Sequence, residues 1–228
     1  MRSSACLALV LLVLTAATAA AVMGMGMQRG PDVWGGLEFK PVVGHWAEYR
    51  VTTEGDKPMT MRVAVVGQED EAYWYETAMS NDKDERTIMK MLVSGNPQDK
   101  DSLKKMIMKS GDEPAMEMPI QMMQGMPGKA EPEPEVEERQ VKTVDLGVES
   151  IIVPAGTFEA HHWRFASDEA AHDIWVSAGV GPYGAVKSAS ADFEMVLLAY
   201  GDEAVSLITE EPQSMSFPGF KMPKPAGK

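Results

Sequence analysis

Cysteine is almost absent from this chain, and its absence excludes several classes of chemistry. The single cysteine, Cys6, lies within the first 21 residues. The rest of the chain therefore has no disulfide, no thiol nucleophile and no thiolate metal site. With 228 residues the chain is long enough to build a full core without disulfides.

No apolar run is long enough to cross a bilayer. Residues 5–14 are apolar, but a spanning helix needs roughly 20 such residues. Arg2 precedes the run and small residues follow it up to Ala21, which is typical of a secretory signal peptide. We expect cleavage near Ala21 and a periplasmic or secreted protein that is not an integral membrane protein. A retained N-terminal helix is the alternative.

Positive charge is also scarce. Without Arg2 the chain has 20 basic and 34 acidic residues, a net charge of −14. Phosphate contacts need clustered lysine and arginine, so this balance argues against nucleic acid and anionic membrane surfaces as partners. The simplest consequence of the charge is solubility.

Common catalytic signatures are missing as well. The sequence contains no G-x-S-x-G, H-E-x-x-H or phosphate-binding loop. The glycine-rich run at 179–184 precedes no predicted helix, and Pro182 lacks the amide that a phosphate would need. We therefore interpret this run as a corner, and expect no enzyme activity and no cofactor.

Alternation of apolar and polar residues is the main pattern in the remaining chain. Ala47, Tyr49 and Val51, for example, fall on one side of a half-buried antiparallel strand. Polar turns separate similar segments. The pattern predicts strands at residues 45–53, 59–66, 72–79, 87–93, 140–153, 158–166, 171–177, 185–191, 193–200 and 204–209.

Residues 95–138 depart from this alternation. Within residues 99–109, Leu103, Met106 and Ile107 have helical spacing, and acidic residues precede lysines, which predicts a helix. Prolines and glycines follow, and then an acidic, proline-rich linker. The segment is expected to be a helical and methionine-rich insertion.

The predicted fold class is mainly β, a single curved antiparallel sheet or incomplete barrel of about nine or ten strands with a helical and methionine-rich excursion. The expected order is a signal peptide (1–21), a flexible lead-in (22–41), the half-barrel domain (42–209) and a disordered tail (210–228).

Two turn-and-strand motifs identify a similar family. They are V-P-A-G-T-F at 153–158, where Pro154 presets φ and Gly156 tolerates a left-handed conformation, and W-V-S-A-G-V-G-P-Y-G-A-V-K at 175–187. With the signal peptide and the order of strands, the chain resembles the bacterial periplasmic lipoprotein-carrier superfamily of LolA/LolB-type proteins. The resemblance implies an incomplete barrel whose concave face is covered by helices and accepts acyl chains.

Methionine is the residue in excess, with 19 copies, many in M-x-M pairs. On a strand, both members of such a pair lie on one face. Three interpretations are open: an adaptable lining for apolar ligands, a Cu(I) site of soft thioethers, and ordinary core filling. The Cu(I) interpretation lacks a histidine within the methionine-rich stretch to add a further ligand. The lining hypothesis places the site at Met59, Met61, Met89, Met91, Leu103, Met106 and Ile107.

Three histidines are the alternative metal ligands. His161 and His162 are adjacent on a predicted strand, so their side chains point to opposite faces and cannot share one ion without a bulge. His172 lies on the next strand. Histidines satisfied within the sheet are the simpler interpretation, and a zinc site is the alternative.

The pairing of these two strands can be predicted from their turn. With the turn centred at 168–169, the numbers of paired residues sum to 337. This register sets Arg164 opposite Asp173, as a cross-strand ion pair, and His162 opposite Trp175.

Together these patterns predict an exported, non-enzymatic protein that holds an apolar or lipid-like ligand on the concave face of a curved sheet. Two alternatives remain. One is a structural or interaction domain of the envelope with a filled core, and the other is copper or zinc handling by methionine or histidine.

Overall fold

The computed structural model describes residues 41–81, 83, 85–95, 102–119, 142–167 and 170–214. All of them belong to one compact unit that begins at Leu37. The predicted signal peptide, nearly all of the lead-in and the acidic linker lie outside the described residues, as does the tail beyond Ser214.

One open sheet of twelve strands contains most of the described chain. In chain order the strands are β1 (Trp46–Thr53), β2 (Met59–Glu69), β3 (Ala72–Ser80), β4 (Arg86–Ser94), β5 (Leu103–Ser110), β6 (Met116–Met118), β7 (Lys142–Val153), β8 (Gly156–Ala166), β9 (Ala171–Val176), β10 (Ala185–Ala189), β11 (Phe193–Gly201) and β12 (Gln213–Ser214). Their order in the sheet is β12-β6-β5-β4-β3-β2-β1-β11-β10-β9-β8-β7. Neighbours are antiparallel except β12 and β6, which are parallel.

The mainly β class and the single sheet are confirmed, but the count of nine or ten strands is wrong. Nine of the predicted strands are present as β1–β4 and β7–β11. The turn between β7 and β8 falls at Pro154 and Ala155, as the motif predicts. Gly156 follows at φ +137°, a conformation that other residues rarely adopt.

The helix predicted for residues 99–109 is wrong, because residues 103–110 form strand β5 beside β4. A bulge at Lys104 brings Leu103 to the same face as Met106, although the two are three residues apart. Ile107 points to the other face, which is also buried. A bulge combined with burial on both faces thus imitates helical spacing.

The strand predicted for residues 204–209 is also wrong. Residues 204–210, named here the crossing segment, leave β11 and pass across one face of the sheet toward β6. The amide of Leu207 donates to the carboxylate of Glu76 at 3.0 and 3.1 Å. Because a side chain accepts this hydrogen bond in place of a neighbouring strand, apolar residues such as Ile208 face the sheet without joining it.

The cross-strand register divides the side chains of β1–β6 between two faces. The methionine face carries Tyr49, Met61, Tyr75, Met91 and Met106 on successive strands. The opposite face carries Trp74, Glu76, Leu92 and Ile107, and the crossing segment packs on it through Ile208.

The connection between β9 and β10 covers part of the methionine face. Its residue Tyr183 stacks on Tyr75, with ring centroids 6.5 Å apart and planes 10° from parallel. Gly181 lies against His45, where a Cβ atom would come within 2.3 Å of the ring nitrogen Nδ1, so a larger residue does not fit. The corner predicted from this glycine-rich run is therefore a packed connection that fills the methionine face at this point.

Candidate functional site

Every methionine among the described residues lies on the methionine face. The cross-strand register places all ten there, although they come from six different strands. They are Met59, Met61, Met79, Met89, Met91, Met106, Met108, Met116, Met118 and Met195. A residue used only as a gap-filler has no reason to avoid one side of a sheet whose two sides both hold buried clusters.

Six of these methionines form two rows across strands β4, β5 and β6. In one row Met91 pairs with Met106, and Met106 pairs with Met118. In the neighbouring row Met89 pairs with Met108, and Met108 pairs with Met116. Directly opposed residues have Cβ atoms about 4.5–5.5 Å apart, so the six thioethers form a compact group. We call these two rows the methionine grid.

The methionine face is closed at its centre and partly open at the grid. Tyr49, Val63, Val65 and Leu197 are almost completely buried at the centre, and Met61 and Met195 are buried with them. In the grid only Met106 is buried, at 9% exposure, and the other five methionines are half-buried. The face therefore joins a filled core at its centre to a half-buried surface at the grid.

The tyrosines of this face are structural. The hydroxyl of Tyr49 donates to the carbonyl of Ala185 at 3.0 Å. Burial, with a smaller contribution from the neighbouring Tyr183, raises the pKa of Tyr49 well above its usual value. Burial likewise raises the pKa of Tyr75 to about 12, aided by Tyr73. Both phenols therefore stay protonated at neutral pH.

The seven residues predicted to line a ligand site fall on both faces. Six lie on the methionine face: Met59, Met61, Met89, Met91, Leu103 and Met106. Ile107 lies on the opposite face, packed with Trp74, Ile88 and Leu92. Of the six, Met61 is enclosed in the core and Met59 lies at the far end of β2. The site itself stays a prediction, and four of its residues, Met89, Met91, Leu103 and Met106, lie together on the methionine face of β4 and β5.

The predicted register of β8 and β9 is confirmed. Arg164 lies opposite Asp173, and His162 lies opposite Trp175. The guanidinium of Arg164 donates to both carboxylate oxygens of Asp173, at 2.8 and 3.0 Å. Burial alone would raise the pKa of Asp173, but the hydrogen bonds from Arg164 and His162 outweigh it and lower that pKa.

Each of the three histidines has its own polar partner. His161 Nε2 lies 2.6 Å from Asp145 Oδ1, and His172 Nε2 lies 2.7 Å from the hydroxyl of Ser188. His162 has two polar partners, Glu149 and Asp173. Within the part of the chain that the structure describes, no group of three or more His, Cys, Asp or Glu side chains could hold a metal ion.

His162 lies between two carboxylates. Its Nδ1 is 2.8 Å from Glu149, and its Nε2 is 2.8 Å from Asp173, on the other side of the ring. The ring stacks on Trp175 at 4.1 Å between centroids. The carboxylates approach different nitrogens, so they clamp the imidazole between β7 and β9 and do not converge on a shared ion.

Sequence reasoning missed Glu76, the one carboxylate that is fully enclosed among the described residues. It is 1% exposed and accepts hydrogen bonds from the hydroxyl of Ser206 at 2.7 Å and from the Leu207 amide. Arg62 Nη1 lies 3.7 Å away. The available signal was one acidic residue at the middle of the apolar strand A-Y-W-Y-E-T-A-M. These contacts make Glu76 the anchor of the crossing segment.

Comparisons with known proteins assign neither a family nor an activity. No model of a known protein family and no curated protein matches the chain. Among solved structures, a candidate lipoprotein from Parabacteroides distasonis is similar at 13% identity and a TM-score of 0.37, covering 72% of this chain and 98% of that one. A candidate exported protein with YmcC-like fold from Bacteroides fragilis gives 11% identity and 0.35, with the same coverage of 72% and 98%.

A third solved structure is the hypothetical protein CT021 from Chlamydia trachomatis. It gives 11% identity and a TM-score of 0.44, and it covers 80% of this chain and 95% of its own. These likenesses are too distant to support any inference about function. The relation to LolA/LolB-type carriers predicted from the sequence is not confirmed. Over the described residues, no helix is long and apolar enough to cross a membrane.

Proposed function

We propose that this chain is an exported, non-enzymatic protein that holds an apolar or lipid-like ligand against the methionine grid. The observation that carries the proposal is the placement of all ten described methionines on one face, with the grid left half-buried. Unbranched, polarisable methionine side chains can repack around ligands of variable shape. Export follows from the signal-peptide pattern of residues 1–21.

Burial of apolar surface would drive the binding. Each buried methylene contributes about 0.8 kcal/mol, so eight methylenes of an acyl chain would supply roughly 6 kcal/mol before the entropy of association is subtracted. Leu103 and Tyr73 pack against the same buried cluster as Met91 and extend the apolar surface at one end of the grid. The carboxyl or head group of the ligand would remain in solvent.

The alternative of a structural domain with a filled core is supported by the other end of the same face. Tyr49, Val63 and Leu197 are at most 1% exposed there, so that region has no room for a ligand. The two candidates therefore differ in one respect, which is whether the half-buried grid takes up apolar molecules.

Native mass spectrometry of the protein purified from its own host, with the signal peptide removed, tests the proposal. A co-purified lipid mass, and displacement of a fluorescent fatty-acid probe by oleate, are the expected results.

Met108→Lys places a charge in the grid and should weaken probe binding by at least about tenfold. Val205→Lys adds the same charge at a residue that is 74% exposed on the crossing segment, and should leave binding unchanged. A bare mass together with no probe binding would favour the structural alternative.

A further inference from the structure

The methionine grid also has the composition of a soft-metal site. Three strands each contribute two thioethers, and every methionine of the grid lies opposite a methionine of the neighbouring strand. A row of three spans β4, β5 and β6 with neighbouring Cβ atoms about 5 Å apart. Because each methionine side chain has three rotatable bonds, three sulfurs of one row can turn toward a common point.

The surroundings of the grid favour a soft ion over a hard one. On the methionine face of β4, β5 and β6, the described residues next to the grid are Thr87, Val93, Leu103 and Ser110, and none carries a carboxylate. Glu117, which lies between the two methionines of β6, points to the opposite face beside Ile107. Thioethers select Cu(I), whereas Mg²⁺ and Ca²⁺ require oxygen ligands.

Ordinary packing does not account for this composition. On the opposite face of the same strands, the buried positions are Ile88, Leu92 and Ile107, and the remaining ones include Lys90. Leucine and isoleucine pack a core at least as well as methionine and specify its shape better. Packing alone therefore does not require six thioethers on one side of three strands and none on the other.

We propose that the methionine grid binds Cu(I) through the thioethers of Met91, Met106 and Met118, of Met89, Met108 and Met116, or of both rows. Thioethers are neutral and release no proton on binding, so the affinity should not depend on pH between about 5 and 8. In this respect the site differs from a histidine or cysteine site, whose ligands must first lose protons. The proposal goes beyond the apolar-ligand function and does not depend on it.

Competition titration of Cu(I) against bicinchoninate, under reducing and anaerobic conditions with delipidated full-length mature protein, tests this proposal. Wild-type protein should bind at least one Cu(I) with a Kd below about 1 μM. Replacing all six grid methionines with leucine keeps the side-chain volume nearly unchanged and removes the sulfurs. This variant should bind Cu(I) at least about 100-fold more weakly.

A matched control carries Met59→Leu, Met79→Leu and Met195→Leu, three changes on the same face but outside the grid. It should bind as the wild type does, and so should the wild type in the presence of excess Zn²⁺. Methionines outside the described residues are the same in all variants, so they cannot produce the difference. Wild-type binding weaker than micromolar, or equal binding by the six-leucine variant, would overturn the proposal.

The metal and lipid experiments fail independently. Loss of Cu(I) binding in the six-leucine variant with fatty-acid binding retained would support both proposals. Fatty-acid binding with no Cu(I) binding by the wild type would leave only the apolar-ligand function.

Discussion

The two faces of strands β3, β4 and β5 bury apolar side chains of different kinds. The opposite face uses Trp74, Ile88, Leu92 and Ile107, and the crossing segment covers it with Ile208. The methionine face of β4 and β5 carries four of the six grid methionines, and three of these four are half-buried. Branched side chains specify one packed shape, whereas methionine accommodates several. The chain thus places branched and aromatic side chains on the face that its own crossing segment covers and methionines on the other face.

The largest expected difference between the faces is in the free energy of unfolding that is lost when neighbouring residues of β4 are replaced by alanine. Leu92 is 5% exposed on the opposite face, and Met91 is half-buried on the methionine face. Leu92→Ala should lower the free energy of unfolding by about 3 kcal/mol, because it leaves a cavity in a closed core. Met91→Ala should cost about 1 kcal/mol. Urea unfolding of both variants measures the difference, and equal losses would contradict an adaptable methionine face.

Glu76→Gln should cause the next largest loss in the free energy of unfolding, because Glu76 attaches the crossing segment to the opposite face. Hydrogen bonds to a charged acceptor contribute about 1.5–3 kcal/mol, and the change also leaves Arg62 without its counter-ion. We expect a loss of about 2 kcal/mol on urea unfolding and faster hydrogen exchange at the Leu207 amide.

Glu69→Gln is the matched control for Glu76. The carboxylate of Glu69 is half exposed and pairs with Lys105, so its loss should cost less than about 1 kcal/mol. Unchanged exchange at Leu207 in Glu76→Gln would show that the crossing segment is held by its apolar contacts alone.

A smaller effect, on the pH dependence of folding stability, is expected from His172, which lies on the methionine face of β9. Burial lowers its pKa, and the charge of Asp173 only partly opposes this. An unfolded histidine titrates near pH 6.5, so the stabilising contribution of neutral His172 is complete above about pH 6.5. It is lost as the pH falls through the lower folded-state pKa.

His172→Gln keeps a hydrogen-bonding group near Ser188 but removes the titration. Its urea midpoint should therefore fall less between pH 7 and pH 5 than that of the wild type. Parallel curves for the two proteins would show that His172 does not contribute to acid sensitivity.

Local patterns in the sequence predict most of the sheet. Alternation identifies nine strands, and the turn at 168–169 is sufficient to pair Arg164 with Asp173, because register in a hairpin follows from the turn. Strand β5 is missed because a bulge at Lys104 and burial on both faces produce helical spacing. Bulges depend on the partner strand, which no local window contains.

The candidate site could be predicted only in part. M-x-M pairs indicate that each pair shares a face, but only the order of strands shows that all of the described pairs share the same face. Ile107 was assigned to the wrong face because the segment was predicted to be a helix, whereas it is a strand whose face is set by its pairing with β4. The role of Glu76 was also beyond the sequence, because its partners Ser206 and Leu207 lie 130 and 131 residues away.

The most direct test of the methionine face as a binding surface is oxidation of its methionines by hydrogen peroxide, measured by peptide mass spectrometry with and without saturating oleate. Methionine sulfoxide forms at accessible thioethers, so Met89, Met91 and Met108 should oxidise in the free protein. Oleate should slow their oxidation several-fold while Met59, at the far end of the face, continues to react at its original rate. Equal rates at the grid with and without oleate would contradict the account.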